Sequence, residues 1–248
     1  MSYKIQYNKQ FENFKNILLN IKSIFSQNSQ TIHLARNELK IIEIENISTV
    51  VKAFRVPNVL NQFVYAYLRK SKAYKAFHNA TILHDLHVST PEPIGYIEFF
   101  KFALLKESFF ISKEFKYDFT IAHIRDEQPE YKKNVLEDFA EFTYYIHTKG
   151  VWHVDYSGGN ILVKKDGDKY LFSLVDINRM KFRTISNYEG LENFNKLWFN
   201  EEDLTTIAKA YSKLASLDEN RAIDEILMQD KKLKDKVLLK RKLRGVRN

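Results

Sequence analysis

The chain has 248 residues, 44% hydrophobic and 14% aromatic, enough to bury the core of one large domain or two small lobes. With no cysteine, it excludes disulfides and thiolate-held metals and fits a reducing compartment, the cytoplasm. The net charge of +8 is concentrated: residues 231 to 248, "KKLKDKVLLKRKLRGVRN", carry nine Lys or Arg and one acid, so the rest of the chain holds 30 of each sign.

In chain order, "MSYKIQYNKQFENFKNILLNIKSIF" scatters charge through its length, and no uninterrupted apolar run resembles a signal sequence or a membrane span, which argues against export. Residues 31 to 56, "TIHLARNELKIIEIENISTVVKAFRV", alternate and cluster Ile and Val around the polar turn "ENIS", predicting two or three antiparallel strands. After Pro57, apolar residues at Leu60, Phe63, Val64, Tyr67 and Leu68, then at Ala73, Phe77, Ala80 and Leu83, keep a helical period broken near Ser71: one kinked helix or two short ones. "STPEPIGYIEFF" and "ESFFISKEF" read as a strand and its hairpin partner. "EYKKNVLEDFAEFTYYIHTKG" puts Val135, Phe139, Phe142 and Ile146 on one helical face and ends at Gly150, suited to a left-handed cap. Strands "ILVKK" and "YLFSLVDI" flank an Asp166-Gly167 turn, and "EEDLTTIAKAYSKLASL" repeats Leu204, Ile207, Ala208, Tyr211 and Leu214 as a helix. The expected division is a sheet-and-helix lobe at 1–116, a mainly helical lobe at 117–230 and a basic tail at 231–248.

The chemistry centres on "HVDYSGGNILV", where Asp155 and Asn160 are five residues apart and Asp176 follows one hairpin later. Phosphoryl transfer needs a carboxylate to orient the attacking hydroxyl, and oxygen ligands for a Mg²⁺ that bridges the phosphates. Asp and Asn beside glycines are also ordinary turn residues. Order decides between the two readings. "VVKAF" places Lys52 on a predicted strand, and a helix, a hairpin, the hinge-like "SKEFKYD" and a long helix then lead to an H-x-D-x-x-x-x-N loop, the protein-kinase-like series.

The segments "RNELKIIEI", "VVKAFRVPN", "STPEPIGYIE" and "HVDYSGGNILV" resemble the lipopolysaccharide kinase (Kdo/WaaP) family, especially its small Bacteroidetes-type members, over residues 30 to about 215. The resemblance implies a two-lobed protein-kinase-like α+β fold with ATP bound between an antiparallel sheet lobe and a helical lobe. It implies ATP- and Mg²⁺-dependent phosphorylation of an inner-core sugar, Kdo or heptose, on a lipid-A-linked acceptor at the cytoplasmic face of the inner membrane. By position, Asp155 would orient the sugar hydroxyl and accept its proton, Asn160 and Asp176 would bind Mg²⁺, and Lys52 would bind the α- and β-phosphates. Glu114, Phe115, Lys116 and Tyr117 would meet the adenine edge, and Ser157 stands where protein kinases usually carry Lys.

The chain departs from the kinase pattern twice. No glycine precedes Gly95, so the first strand pair turns through "HLARNE", where Arg36 and Asn37 are the candidates to approach phosphate; an ordinary exposed turn fits equally. Residues 69 to 84 contain no acid to pair with Lys52, and His78 stands in that region, whose neutral imidazole can only accept a hydrogen bond. "HIRD" at 123 to 126 lacks an Asn five residues on and reads as a loop, and His84 with His87 lacks a third metal ligand. The basic tail fits an anionic membrane surface, nonspecific nucleic acid or a solvated end. A soluble aminoglycoside- or choline-type kinase and a pseudokinase share the loop and stand as alternatives.

Overall fold

The computed structural model describes residues 2–28, 31–34, 37–55, 69–186 and 188–243. Contacts divide the chain into a first unit that runs to Phe115 and also takes in Asp176–Arg179, and a second made of Lys116–Val175 and the chain from Met180 onward.

The first unit is built on a six-stranded antiparallel sheet, β1 (Ser2–Tyr7), β5 (Pro93–Lys101), β6 (Leu104–Lys113), β4 (Ile47–Arg55), β3 (Asn37–Ile44) and β2 (Thr31–Leu34), in that spatial order. The predicted meander is β2-β3-β4, closed between β3 and β4 by Glu45 and Asn46, both at positive φ as a tight hairpin requires. Alternation along β4 sends Thr49, Val51 and Ala53 inward and leaves Lys52 on the other face. The inward face is covered by a 3₁₀ turn (Lys9–Phe14) and helix α1 (Lys15–Gln27), whose Phe11, Phe14, Leu18, Ile21 and Phe25 share one core with Ile97, Phe109 and Ile111. Helix α2 (Lys72–Asp85) covers the opposite face, packing Tyr74 edge-on and Phe77 at a tilt against Tyr96 of β5. Burial beside Glu98 pushes the Tyr96 phenol up to about 12. The break near Ser71 is a helix start: its hydroxyl accepts the Tyr74 N–H at 3.0 Å as an N-cap. Residues 56–68, where the first half of that helical period was read, lie outside the described residues.

The second unit opens with β7 (Phe119–Thr120) and α3 (Ile121–Glu127). Here "HIRD" is helical, a correction to the loop reading. Ile121 and Ile124, fully buried and one turn apart, supply the inward face that the charged letters obscure. Arg125 lies against Asp126 (2.6 Å) and holds its carboxyl below the usual range, so this pair is a surface ion pair. Helix α4 (Lys132–Thr148) follows, ending at Gly150 with φ +72°. Then come β8 (Val151–His153), the hairpin β9 (Ile161–Asp166) and β10 (Lys169–Leu174), β11 (Met180–Phe182) paired with β8, a 3₁₀ helix (Tyr188–Lys196), α5 (Glu201–Ala215) and α6 (Glu219–Leu243). Helix α6 continues through residue 231, buries Ala222 and Ile226 near its start, and leaves Leu238, Leu239 and Leu243 exposed beside Lys240, Arg241 and Lys242. Among the described residues no helix is long and apolar enough to cross a membrane.

Candidate active site

Within the second unit, a loop joins β8 to β9. Its side chains alternate between anchoring and exposure. Tyr156 is fully buried, stacked on Phe139 with its hydroxyl 2.8 Å from that of Thr143 in α4, and desolvation raises its phenol pKa far above the ordinary value. With Tyr156 pinned inward, the flanking Asp155 carboxylate is left 38% exposed. The loop closes on itself, since the Asp155 carbonyl accepts both the Ser157 N–H (2.8 Å) and the Asn160 amide NH₂ (2.9 Å). That commits the Asn160 amide nitrogen and leaves its oxygen as the atom able to meet a cation.

The two loop glycines differ. A Cβ on Gly158 would fall 2.8 Å from the Ala122 backbone nitrogen, so the loop packs against the start of α3 only because this residue has no side chain. Gly159 has nothing within 4 Å.

His153 is buried, with Nε2–H donating to the Val175 carbonyl (3.0 Å) and Nδ1 accepting the Asp155 N–H (3.1 Å). Both bonds require the neutral Nε2–H tautomer, so His153 positions Asp155 by hydrogen bonding. The Val175 N–H donates to the Asn160 carbonyl (2.9 Å), and Asp176 is the next residue in the chain. Behind the loop runs a second relay. The Tyr211 hydroxyl donates to His147 Nδ1 (2.9 Å), His147 Nε2–H donates to the Asn193 oxygen (3.1 Å), and the Asn193 NH₂ donates to the His153 carbonyl (3.0 Å). Burial holds the His147 imidazole down to about 4, so it stays neutral near pH 7.

Within the first unit stands an ion pair. Lys52 Nζ lies 2.5 Å from Asp176 Oδ1, which also accepts the Asn178 amide at 2.6 Å. Asp176 adopts φ +53°, a sparsely populated conformation that Asp tolerates better than most residues and that recurs at functional sites. His78 does not serve this pair in the way its position suggested: its Nδ1–H donates to the Tyr74 carbonyl (2.8 Å) and its ring stacks on Tyr74 at 3.7 Å. Its neighbour Asn79 is the α2 residue tied to this segment, donating to the Ile177 carbonyl at 2.6 Å. At the end of β6, the Glu114 N–H donates to the Ser48 carbonyl (2.8 Å) and its carboxylate accepts the Ser48 hydroxyl, so that N–H is already committed. Phe115 is half-buried and Lys116 exposed. Arg36 lies outside the described residues, and Asn37 is placed only by its backbone, which opens β3 opposite Phe54.

The sequence matches a known family. The model of the lipopolysaccharide kinase (Kdo/WaaP) family matches residues 56–216, more than half of the chain. The chain belongs to the lipopolysaccharide kinase (Kdo/WaaP) family. A solved structure, WaaP in complex with acyl carrier protein, superposes with a TM-score of 0.61 at 16% identity, covering 93% of this chain and 99% of that one. That similarity establishes the protein-kinase-like fold. No curated protein matches the chain significantly. As a member of this family the protein is a phosphotransferase that acts on the lipopolysaccharide core, and the family uses ATP.

The donor chemistry suits the Mg²⁺ that such kinases use. An amide oxygen and a carboxylate are hard ligands, and Mg²⁺ bound with nucleotide takes only one or two protein groups, the rest being phosphate and water. No cluster of three His, Cys, Asp or Glu able to hold a metal occurs among the described residues.

Sequence reasoning missed Asn79, Asn178, Asn193, His147 and Lys196. Asn178 is two residues from Asp176 and could have been found as a neighbour of a candidate ligand. The others come from helices whose periodicity signals only burial.

Proposed function

We propose that the protein transfers the γ-phosphoryl group of ATP to a hydroxyl of an inner-core sugar, Kdo or heptose, on a lipid-A-linked acceptor. The observation that carries this reading is the loop: Asp155 is held outward by the buried Tyr156, oriented through His153, and joined by its own carbonyl to Asn160. A carboxylate so fixed, with one face open, can accept the hydrogen bond of an acceptor hydroxyl and take its proton as the oxygen attacks. Lys52 supplies a cation for nucleotide phosphates, and the Asn160 amide oxygen and Asp176 carboxylate would hold Mg²⁺, which when bound neutralises charge building on the phosphates. Glu114, Phe115 and Lys116 form the chain segment proposed to meet adenine, though the Glu114 N–H is already given to the Ser48 carbonyl. The direct Lys52–Asp176 pair supports an active kinase over a pseudokinase, because the lysine has a carboxylate partner without an acid on α2.

Incubating the protein with labelled ATP, Mg²⁺ and either Kdo-lipid A or its heptosylated form tests this. Label is expected on one of these lipids and is lost in Asp155→Ala; nucleotide binding without transfer to either would defeat the reading.

The end of α6 is proposed to rest on anionic lipid. It joins exposed Leu238, Leu239 and Leu243 to a basic last turn, and each Lys or Arg near an anionic surface contributes about 1 kcal/mol. Sedimentation with phosphatidylglycerol vesicles should fall with added salt and vanish on deleting 231–248. Equal binding by the truncated chain would refute it.

A further inference from the structure

Kinase loops usually carry a lysine two residues after the catalytic Asp; this chain has Ser157 there, and a cation reaches the same carboxylate from another element. Lys196 ends the 3₁₀ helix Tyr188–Lys196, and its Nζ donates to the Val154 carbonyl (2.5 Å) and lies 3.7 Å from Asp155 Oδ1. In a 3₁₀ helix residues three apart eclipse, so Asn193 and Lys196 stand on one side. They grip consecutive carbonyls where β8 passes into the loop, Asn193 that of His153 and Lys196 that of Val154. The helix is itself anchored by Leu191 and Phe194, both fully buried. The ammonium is therefore delivered to a fixed place beside Asp155 by rigid structure.

Its hydrogen-bonding capacity is not used up. An ammonium has three N–H donors, and 3.7 Å to Asp155 is an ion-pair distance too long for a hydrogen bond. With one donor on Val154, two have no hydrogen-bond partner among the described residues, and Lys196 is 37% exposed. An acceptor hydroxyl bonded to Asp155 would bring the phosphorus it attacks alongside this ammonium. Negative charge at that phosphorus spreads over three equatorial oxygens, which a fixed cation stabilises without rearranging.

We propose that Lys196 is a catalytic residue that contacts the transferring phosphoryl group, in place of the lysine absent from position 157. The inference rests on the reading of Asp155 as the group that orients the hydroxyl. As the bond from the acceptor oxygen to the γ-phosphorus forms and the bond from that phosphorus to the β,γ-bridging oxygen breaks, the hydroxyl proton passes to Asp155 and ADP leaves with the electron pair. Lys196 keeps its proton throughout and donates to an equatorial oxygen.

The test uses the full chain and two readouts. In Lys196→Met, turnover with labelled ATP and the lipid acceptor should fall ~100-fold with KM for ATP little changed, as for loss of one transition-state donor. Binding of ADP with Mg²⁺ should be unaltered, whereas the further tightening produced by aluminium fluoride, which mimics the transferring phosphoryl, should be lost. Lys196→Gln can still donate to the Val154 carbonyl but has no charge, and it should be as defective as Lys196→Met. If Lys196→Gln restores turnover, the residue only clamps the loop and the proposal fails. It fails also if Lys196→Met retains both turnover and the aluminium fluoride effect. Asp155→Ala separates the two readings: if transfer survives it, the assignment of Asp155 is wrong, and the aluminium fluoride measurement alone then decides on Lys196. A urea midpoint for Lys196→Met near that of the parent shows that the variant folds.

Discussion

The loop around Asp155 and the pair of Lys52 with Asp176, both proposed above to serve phosphoryl transfer, are held by different physics. Apart from the Lys196 ammonium on the Val154 carbonyl, the loop hangs on neutral hydrogen bonds from His153, His147, Asn193 and Thr143, in a region where Tyr156, Phe139 and Phe194 exclude water. The pair is held by opposite charges with side-chain exposures of 13% and 31%. Neutral bonds in a dry core are not screened by salt and fix atoms in place. A partly exposed ion pair adds little to stability and keeps its charge available to a ligand. Substitutions should therefore act on folding at the loop and on activity at the pair.

The largest effect is expected at Tyr156. Tyr156→Ala empties a fully buried site between Phe139 and Phe194, and such truncations cost about 4 kcal/mol. Urea unfolding should show that loss, and transfer should disappear with it because Asp155 loses its anchor. A stability within error of the parent would mean that the loop is not held from beneath.

Next is the pH dependence of folding. The His147 pKa lies at about 4 in the folded chain, against 6.5 when free, because burial disfavours the imidazolium; the Asn193 bond and nearby Glu189 oppose that shift and Arg183 adds to it. A lowered folded pKa means that the unfolded chain binds the proton first. The stabilisation is complete above pH 6.5 and is lost as pH falls from 6.5 to about 4, by about 3 kcal/mol in all. Urea midpoints across that window should fall more steeply for the parent than for His147→Gln, which cannot titrate; parallel slopes would remove His147 from the account.

How much of this was legible in the sequence follows the same division. Lys52, Asp155, Asn160 and Asp176 stand out because they occur in the kinase-like order, on or beside apolar strands and separated by the expected helix and hairpin, although Asp155 and Asn160 taken alone would read as turn residues. The meander, both hairpins and α4 follow from alternation, turn residues and a 3.6-residue period. The supports did not show. Asn193 and Lys196 lie about 40 residues from the carbonyls they grip, and no local pattern distinguishes them from solvated helix residues. Helix α3 was hidden because a run of charged letters outweighed Ile121 and Ile124. Helix α1 was present in the spacing of Phe11, Phe14, Leu18, Ile21 and Phe25, but its scattered charges served only to exclude a leader. His78 attracted attention by sequence position, yet one residue of helix rotation is about 100°, and it is Asn79 that reaches Ile177.

The smallest stability change is expected at the pair, and it sharpens the comparison most. Lys52→Met removes one charge from a bridge of a kind that contributes about 1 kcal/mol or less. Asp176 keeps the Asn178 hydrogen bond, and the Asn79 bond to Ile177 still ties its segment to α2, so the fold has no reason to open. The urea midpoint should barely move while transfer falls ~100-fold, the loss expected when a fixed cation is taken from phosphate. The contrast with Tyr156→Ala is then a separation of roles: both variants lose activity, one with a loss of stability and one without. If Lys52→Met instead unfolds the chain as Tyr156→Ala does, the ion pair is structural, and the activity loss would say nothing about phosphate.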